Sequence, residues 1–377
     1  MFVIRYSAFG AGVPCSRVGI RRRIHTVAVA DLLKLTPAGL YCQSGDFYVD
    51  PWRPVERAVI THAHGDHARW GMKRYLCASP GLQVLRTRMG EDATIDTAEY
   101  GEKLTINGVK VSLHPAGHIL GSSQVRIEDQ GQVWVVSGDY KTEADPTTAP
   151  FELVKCNTFI TESTFGLPIY RWPPEREVFG QIDKWWRANQ QSGKASLIYA
   201  YTLGKAQRLL AGVDSSIGPI FVHGAVQRMN AGYRWAGVKL PKTDLATKPE
   251  KGYDWSKALI IAPPSAIGTP WLRRFGEVVT GFASGWMQIR GARRRRAIDR
   301  GYVLSDHADW PALLSTISAT GAERVWVTHG YANVVARYLS ENGLRAEVVP
   351  TRFVGESLEG EEAEQTPVEK EQLTVDS

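Results

Sequence analysis

Residues 60–71 read "ITHAHGDHARWG" and place His62, His64, Asp66 and His67 within six positions, in a chain with only nine histidines. Two imidazoles two residues apart point the same way from an extended backbone. Asp66 and His67 follow at once, where the chain turns. Imidazole and carboxylate are metal-ligating groups, and four of them on one short loop cannot all face a single ion in tetrahedral geometry. They suit two ions lying side by side, the arrangement that hydrolyses esters and phosphodiesters. Each ion then needs ligands from elsewhere, and His118, Asp139 and His329 stand at the ends of other apolar runs. One isolated histidine would favour an ordinary core or surface residue; three with an aspartate in six positions do not. His114 lies four before His118 and shares its facing, but is expected to support the site rather than ligate.

These residues need elements to carry them. "RAVITHAH", "VKVSLHPAGH", "QVWVVSGDY", "NTFITEST" and "ERVWVTHG" are β-branched or apolar runs, each closing on His, Asp or Glu. That pattern predicts an α/β protein whose site is assembled from several loops at one edge of its sheets. "GLYCQSGDFYVDP" reads as a strand stopping at Asp50-Pro51, and a helix is predicted to start near His67. From residue 166 to about 290 the pattern changes. "EREVFGQIDKWWRANQ" has helical spacing, "ASLIYAYTLGKAQRLL" reads as strand, glycine turn and helix, and "PIFVHG" and "ALIIAPP" are short buried strands. Strands alternating with helices predict a small parallel sheet of its own. The expected organisation is one domain (29–165 and 291–355) interrupted by another (166–290). A basic extension (1–28) and an acidic tail (356–377) flank it, both expected to be disordered.

The chain has 377 residues, 43% hydrophobic and 22% charged, an ordinary globular balance with room for two domains. No run of eighteen apolar residues occurs, which argues against a membrane span. The four cysteines, Cys15, Cys42, Cys77 and Cys156, form no CxxC pair. They point to a reducing, cytoplasmic setting and to a metal site without thiolates. The net charge is +6; with the two ends set aside the body is more basic still, which suits a polyanionic partner.

"HAHGDH" resembles the HxHxDH signature of the metallo-β-lactamase superfamily. "GHILGSS", "SGDY", "TESTFG", "SDHAD" and "VTHG" follow in the order found in its β-CASP nuclease branch. Within that branch, "GLYCQSGDFYVDPWRPVERAVITHAHGDHARWG" and "RGYVLSDHADWPALL" are most similar to the bacterial exonucleases associated with DNA ligases. The resemblance covers about residues 31–355. It implies a metallo-β-lactamase αββα sandwich with an inserted β-CASP cap, a small parallel α/β unit. It implies that His62, His64 and His118 hold one zinc, that Asp66, His67 and His329 hold a second, and that Asp139 bridges them. Manganese is the alternative ion. Asp50 would order the metal loop from behind, and Glu162 and His307 would form a carboxylate–histidine pair beside the ions. Zinc makes hydroxide available near neutral pH, so Asp66 and Asp139 act in catalysis as ligands. His307, oriented by Glu162, is the expected general acid for the leaving alkoxide.

Substrate contacts are less defined. Arg290, Arg293, Arg294, Arg295, Arg296 and Arg300 crowd the approach to "SDHAD" and are expected to grip phosphate. Ser305 could donate a hydrogen bond to phosphate or cap the next helix. Lys205, Gln207 and Arg208 sit at a helix start that could hold phosphate, with a structural role expected first. None of the twelve tryptophans is assigned to base stacking. The expected function is a two-zinc nuclease, a DNA exonuclease in repair and end processing. An RNA 3′-end processing endo- or exoribonuclease of the same fold is the alternative. An ATP-dependent DNA ligase and a helicase are partners that only the resemblance implies. A small-molecule hydrolase is disfavoured by the Glu162–His307 pair, the insertion and the arginines. A non-catalytic subunit is disfavoured by the complete ligand set.

Overall fold

The computed structural model describes residues 31–289, 291 and 298–351. The basic extension, the acidic tail, Cys15, Arg290 and Arg293, Arg294, Arg295 and Arg296 lie outside them.

The first sheet has the order β1 (Lys34–Thr36), β2 (Gly39–Cys42), β3 (Phe47–Val49), β4 (Arg57–Val59), β5 (Arg74–Ala78), β6 (Ile95–Ala98). Its first three strands are antiparallel and the rest parallel. "GLYCQSGDFYVDP" is therefore a hairpin and not the single strand expected. Tyr41 pairs with Tyr48 across a turn in which Asp46 takes a positive φ of 50°, a conformation that Asp tolerates. No helix starts at His67 either. The backbone makes one turn, with the His67 and Ala68 N–H groups on the His64 carbonyl, and runs on to β5. Helical periodicity is missing there because the polar residues face a site rather than solvent.

The second sheet has the order β19 (Arg345–Val348), β18 (Arg324–Gly330), β11 (Thr158–Ser163), β10 (Gln132–Val136), β9 (Ser123–Asp129), β8 (Val109–Pro115), β7 (Leu104–Ile106). The two sheets face each other across a core that includes Phe47, Val49 and Val59 from one, and Val111, Ile127 and Trp134 from the other. Helices α5 (Trp310–Thr320) and α6 (Ala332–Glu341) cover the outer face of the second sheet. Helix α1 (Leu82–Met89) covers the outer face of the first, joined by α4 (Gly224–Trp235). The result is an αββα sandwich.

The third sheet is wholly parallel: β14 (Asp244–Leu245), β13 (Ile220–Val222), β15 (Leu259–Ala262), β12 (Ala195–Tyr199), β16 (Val278–Ala283), β17 (Arg300–Tyr302). Helices α2 (Glu175–Gln191), α3 (Lys205–Gly212) and α4 pack on one face. Trp185 and Trp186 of α2 are buried there, as core rather than stacking residues. The chain leaves this sheet only after Tyr302, later than the expected 290. β17 is a three-residue edge strand behind an arginine run, too short and too charged to announce itself.

Asp309 starts α5. One carboxylate oxygen accepts from Ala312 N at 3.0 Å and the other from Trp172 N at 3.0 Å. Asp309→Ala removes both bonds. The cap alone is worth about 0.5–2 kcal/mol, and a drop of that size in the urea-unfolding free energy is expected.

Candidate metal centre

Strand direction gathers the site. β8, β10, β11 and β18 run the same way in the second sheet, as β3 and β4 do in the first. Asp50, His62, His118, Asp139, Glu162 and His329 all sit at or just past carboxyl ends, so they share one edge. Thr61 fastens the two sheets there, its carbonyl accepting from Ser123 N at 2.8 Å. Gly138 (φ 56°) must be glycine: a Cβ would sit 2.6 Å from the Thr61 Cβ.

Asp50 organises the loop between β4 and β5. It accepts from Thr61 N (2.8 Å), Thr61 Oγ1 (2.6 Å) and His67 Nδ1 (2.7 Å). A carboxylate can only accept, so His67 Nδ1 carries a proton and Nε2 is the nitrogen left to face the cluster. The same reasoning settles two more tautomers. His118 Nδ1 donates to the Asp306 carbonyl at 2.8 Å, and His64 Nε2 donates to the Leu203 carbonyl at 3.1 Å. Their remaining nitrogens, His118 Nε2 and His64 Nδ1, face each other at 3.0 Å. Two lone pairs at that distance repel unless a cation lies between them. His62 Nε2 is buried with no hydrogen-bond partner, which is costly for a polar atom. The donors present therefore fit a metal.

Asp139 faces two groups with its two oxygens. Oδ1 lies 2.9 Å from His329 Nε2 and 3.5 Å from His67 Nε2; Oδ2 lies 3.6 Å from His62 Nε2 and 3.9 Å from His118 Nε2. Asp66 Oδ2 stands 3.8 Å from His67 Nε2. The ligand atoms form groups of His62, His64, His118 and Asp139, of His62, Asp66 and His67, and of His67, Asp139 and His329, any of which could hold a metal ion.

Electrostatics agrees. Burial pushes His62 and His64 below the usual imidazole range and His118 down to about 4. These rings are neutral at pH 7, as ligands must be. Burial also pulls on His67, but the carboxylates of Asp139, Asp66 and Asp50 outweigh it and hold this ring well above its ordinary value. Burial opposes ionisation of Asp139, yet His67 and His329 outweigh that and keep it a carboxylate.

Beside this cluster, His307 Nδ1 lies 2.9 and 3.1 Å from the two Glu162 oxygens, both residues being buried. Tyr140 N fixes Glu162 Oε1 at 2.8 Å. The His307 and His118 rings are 4.6 Å apart between centroids. Ser305 Oγ accepts from His307 N at 3.1 Å and so shapes this loop; the helix cap is Asp309 and not Ser305. Arg300 is exposed at the amino end of β17, whose carboxyl end leads to the loop. His114 is held by Ser112 Oγ and Glu152 Oε1, both at 3.0 Å, outside every metal-holding group. Lys205 and Arg208 are buried in ion pairs with Asp306, and with Asp145 and Glu175, the structural role expected first. Cys42, Cys77 and Cys156 are buried free thiols.

Sequence reading passed over Asp306 and Leu203. Asp306 adjoins His307 in "SDHAD", which was a usable signal. Leu203 acts through its carbonyl, and a backbone atom leaves no signature in residue type.

With metal bound in the group that includes His67, Asp50→Asn is expected to weaken it by about 10–100-fold, the usual cost of losing a group that orients a ligand. Chelator competition measures it.

No protein-family model matches the chain. A "Probable DNA ligase" from Opitutus terrae is 31% identical over 315 residues, 82% of this chain and 30% of that protein. "Cleavage and polyadenylation specificity factor 73" from Drosophila melanogaster is 30% identical over 165 residues, 42% of this chain and 24% of that protein. An "RNase J-like protein" from Methanocaldococcus jannaschii is 22% identical, covering 53% of this chain and 54% of its own length. The chain thus spans under a third of the length of the first two. A crystal structure of a protein of unknown function from Enterococcus faecalis shares the fold, with a TM-score of 0.51, 11% identity and coverage of 78% and 79%. No helix among the described residues is long and apolar enough to cross a membrane. In sequence, sandwich and inserted parallel cap alike, the chain belongs to the β-CASP branch of the metallo-β-lactamase superfamily.

Proposed function

We propose that the chain is a nuclease that hydrolyses phosphodiester bonds with two zinc ions, and that its substrate is DNA, degraded from an end. The observation that carries the reading is Asp139, each of whose oxygens addresses a separate set of histidines. His62, His64 and His118 would hold one ion; Asp66, His67 and His329 would hold the other. Such a pair supplies a nucleophile at neutral pH and positive charge against the phosphate. The chain's own residues supply the rest. Asp50 keeps the His67 tautomer. Glu162 accepts the hydrogen bond of His307 Nδ1–H, so that Nε2 is the atom that passes a proton to the leaving oxygen. Ser305 and Arg300, with Arg290, Arg293, Arg294, Arg295 and Arg296, are assigned to the phosphate backbone.

The choice of DNA draws on the Opitutus relative, named a probable DNA ligase and aligned over most of this chain. It also suggests work beside a ligase; a helicase as a further partner rests on the sequence resemblance alone. RNA is the second reading, because the "Endoribonuclease ysh1" of Aspergillus fumigatus is 32% identical over 123 residues.

The test is a cleavage assay with zinc or manganese on single-stranded and duplex DNA and RNA of defined ends. Shortening of DNA from one end is expected. RNA cleavage with DNA intact moves the assignment to RNA, and no cleavage of either removes it.

A further inference from the structure

The two halves of the metal cluster are braced from different parts of the fold. The His67 tautomer is set by Asp50 at the end of β3, inside the sandwich. Those of His64 and His118 are set by the carbonyls of Leu203 and Asp306. Leu203 follows β12 and Asp306 follows β17, so both acceptors hang from the carboxyl edge of the cap sheet. A carbonyl orients a ring only if its own loop is held, and one short helix holds both loops. Leu203 immediately precedes Gly204 and α3. Gly204 takes a φ of 89°, where a Cβ would meet Ile119 Cγ2 at 2.4 Å and Asp306 Oδ2 at 3.1 Å. From the first turn of α3, Lys205 reaches Asp306 Oδ1 at 3.0 Å, both side chains being buried. Three residues on, on the same helix face, Arg208 donates to the Ser305 carbonyl.

We infer that Lys205 and Asp306 are positioning residues for one metal ion alone. Their buried pair locks the cap to the His62–His64–His118 site, and the site of Asp66, His67 and His329 is independent of it. The inference rests on the two-metal reading above. It makes the cap part of a metal site, so that an ion held by sandwich side chains reports whether the cap is seated. The effect travels through the backbone: a loosened 305–306 loop lets the His118 Nδ1 acceptor drift, and the ring is no longer committed to presenting Nε2. Groups behind a ligand typically govern about 10–100-fold in affinity.

The test uses the full chain carrying Lys205→Met together with Asp306→Asn. Replacing both partners leaves no bare buried charge, and far-UV circular dichroism checks the fold. Zinc is loaded, excess is removed on a chelating resin, and bound zinc is read by elemental analysis and by competition with a chromogenic chelator. Wild type should retain two ions; the double variant should retain one tightly and hold the other about 10–100-fold more weakly. His62→Ala, already lacking one ion, gives the site assignment. There the double substitution should change the remaining affinity by no more than about twofold, because that half is braced by Asp50 and not by the cap, whereas Asp50→Asn should lower it about 10–100-fold. Unchanged affinity for both ions, equal weakening of both, or loss of the remaining ion in the His62→Ala background would each overturn the inference. Wild type binding no zinc would instead bring down the two-metal reading and the inference with it.

Discussion

His62→Ala is expected to bind one metal ion fewer than the wild type and to lose nearly all cleavage. His62 Nε2 is a buried nitrogen with no hydrogen-bond partner, 3.6 Å from Asp139 Oδ2. Without it, His64, His118 and one aspartate oxygen remain on that side. The loss should exceed the roughly 10–100-fold that follows from disturbing a group behind a ligand, because a ligand itself is gone. Elemental analysis counts the ions, and initial rates on end-labelled DNA give the activity. Two retained ions with wild-type rates would show that this nitrogen is not a ligand.

His307→Ala is expected to behave oppositely: both ions stay and turnover falls by roughly 10²–10⁴-fold, the range for general acid catalysis. The ring lies against Glu162 and outside the groups that include His62, Asp66 and His329. A phosphodiester with a p-nitrophenolate leaving group separates a chemical role from a structural one. That leaving group departs without a proton, so its hydrolysis should be nearly spared. Equal losses on both substrates would make His307 a structural residue. Loss of a metal ion would make it a ligand, in the group it forms with His118 and Asp306.

Legibility followed the kind of atom that does the work. Candidate ligand side chains were readable because few residue types bind metals, and because period-two spacing in strands has geometric meaning. His62, His64 and His67 were visible on that ground alone, and the sheet edge was visible from five apolar runs closing on polar residues. The hairpin before Asp50 was missed because its turn, "QSGD", is short and polar inside a longer β-like run. The extent of the cap sheet was missed because β17 has three residues. Lys205 and Arg208 were ambiguous, since a cation at a helix start serves phosphate or carboxylate equally well until its neighbours are known.

By itself the sequence offered the candidate donor set, the strands that carry it and the break where the cap sheet begins, since residue type and period are local properties. Only the tertiary structure decided which nitrogen of each ring faces the cluster, how Asp139 divides its oxygens, and that the carbonyls of Leu203 and Asp306 hold the rings of His64 and His118. Those facts depend on hydrogen-bond partners up to 190 positions apart, and no window along the chain contains both members.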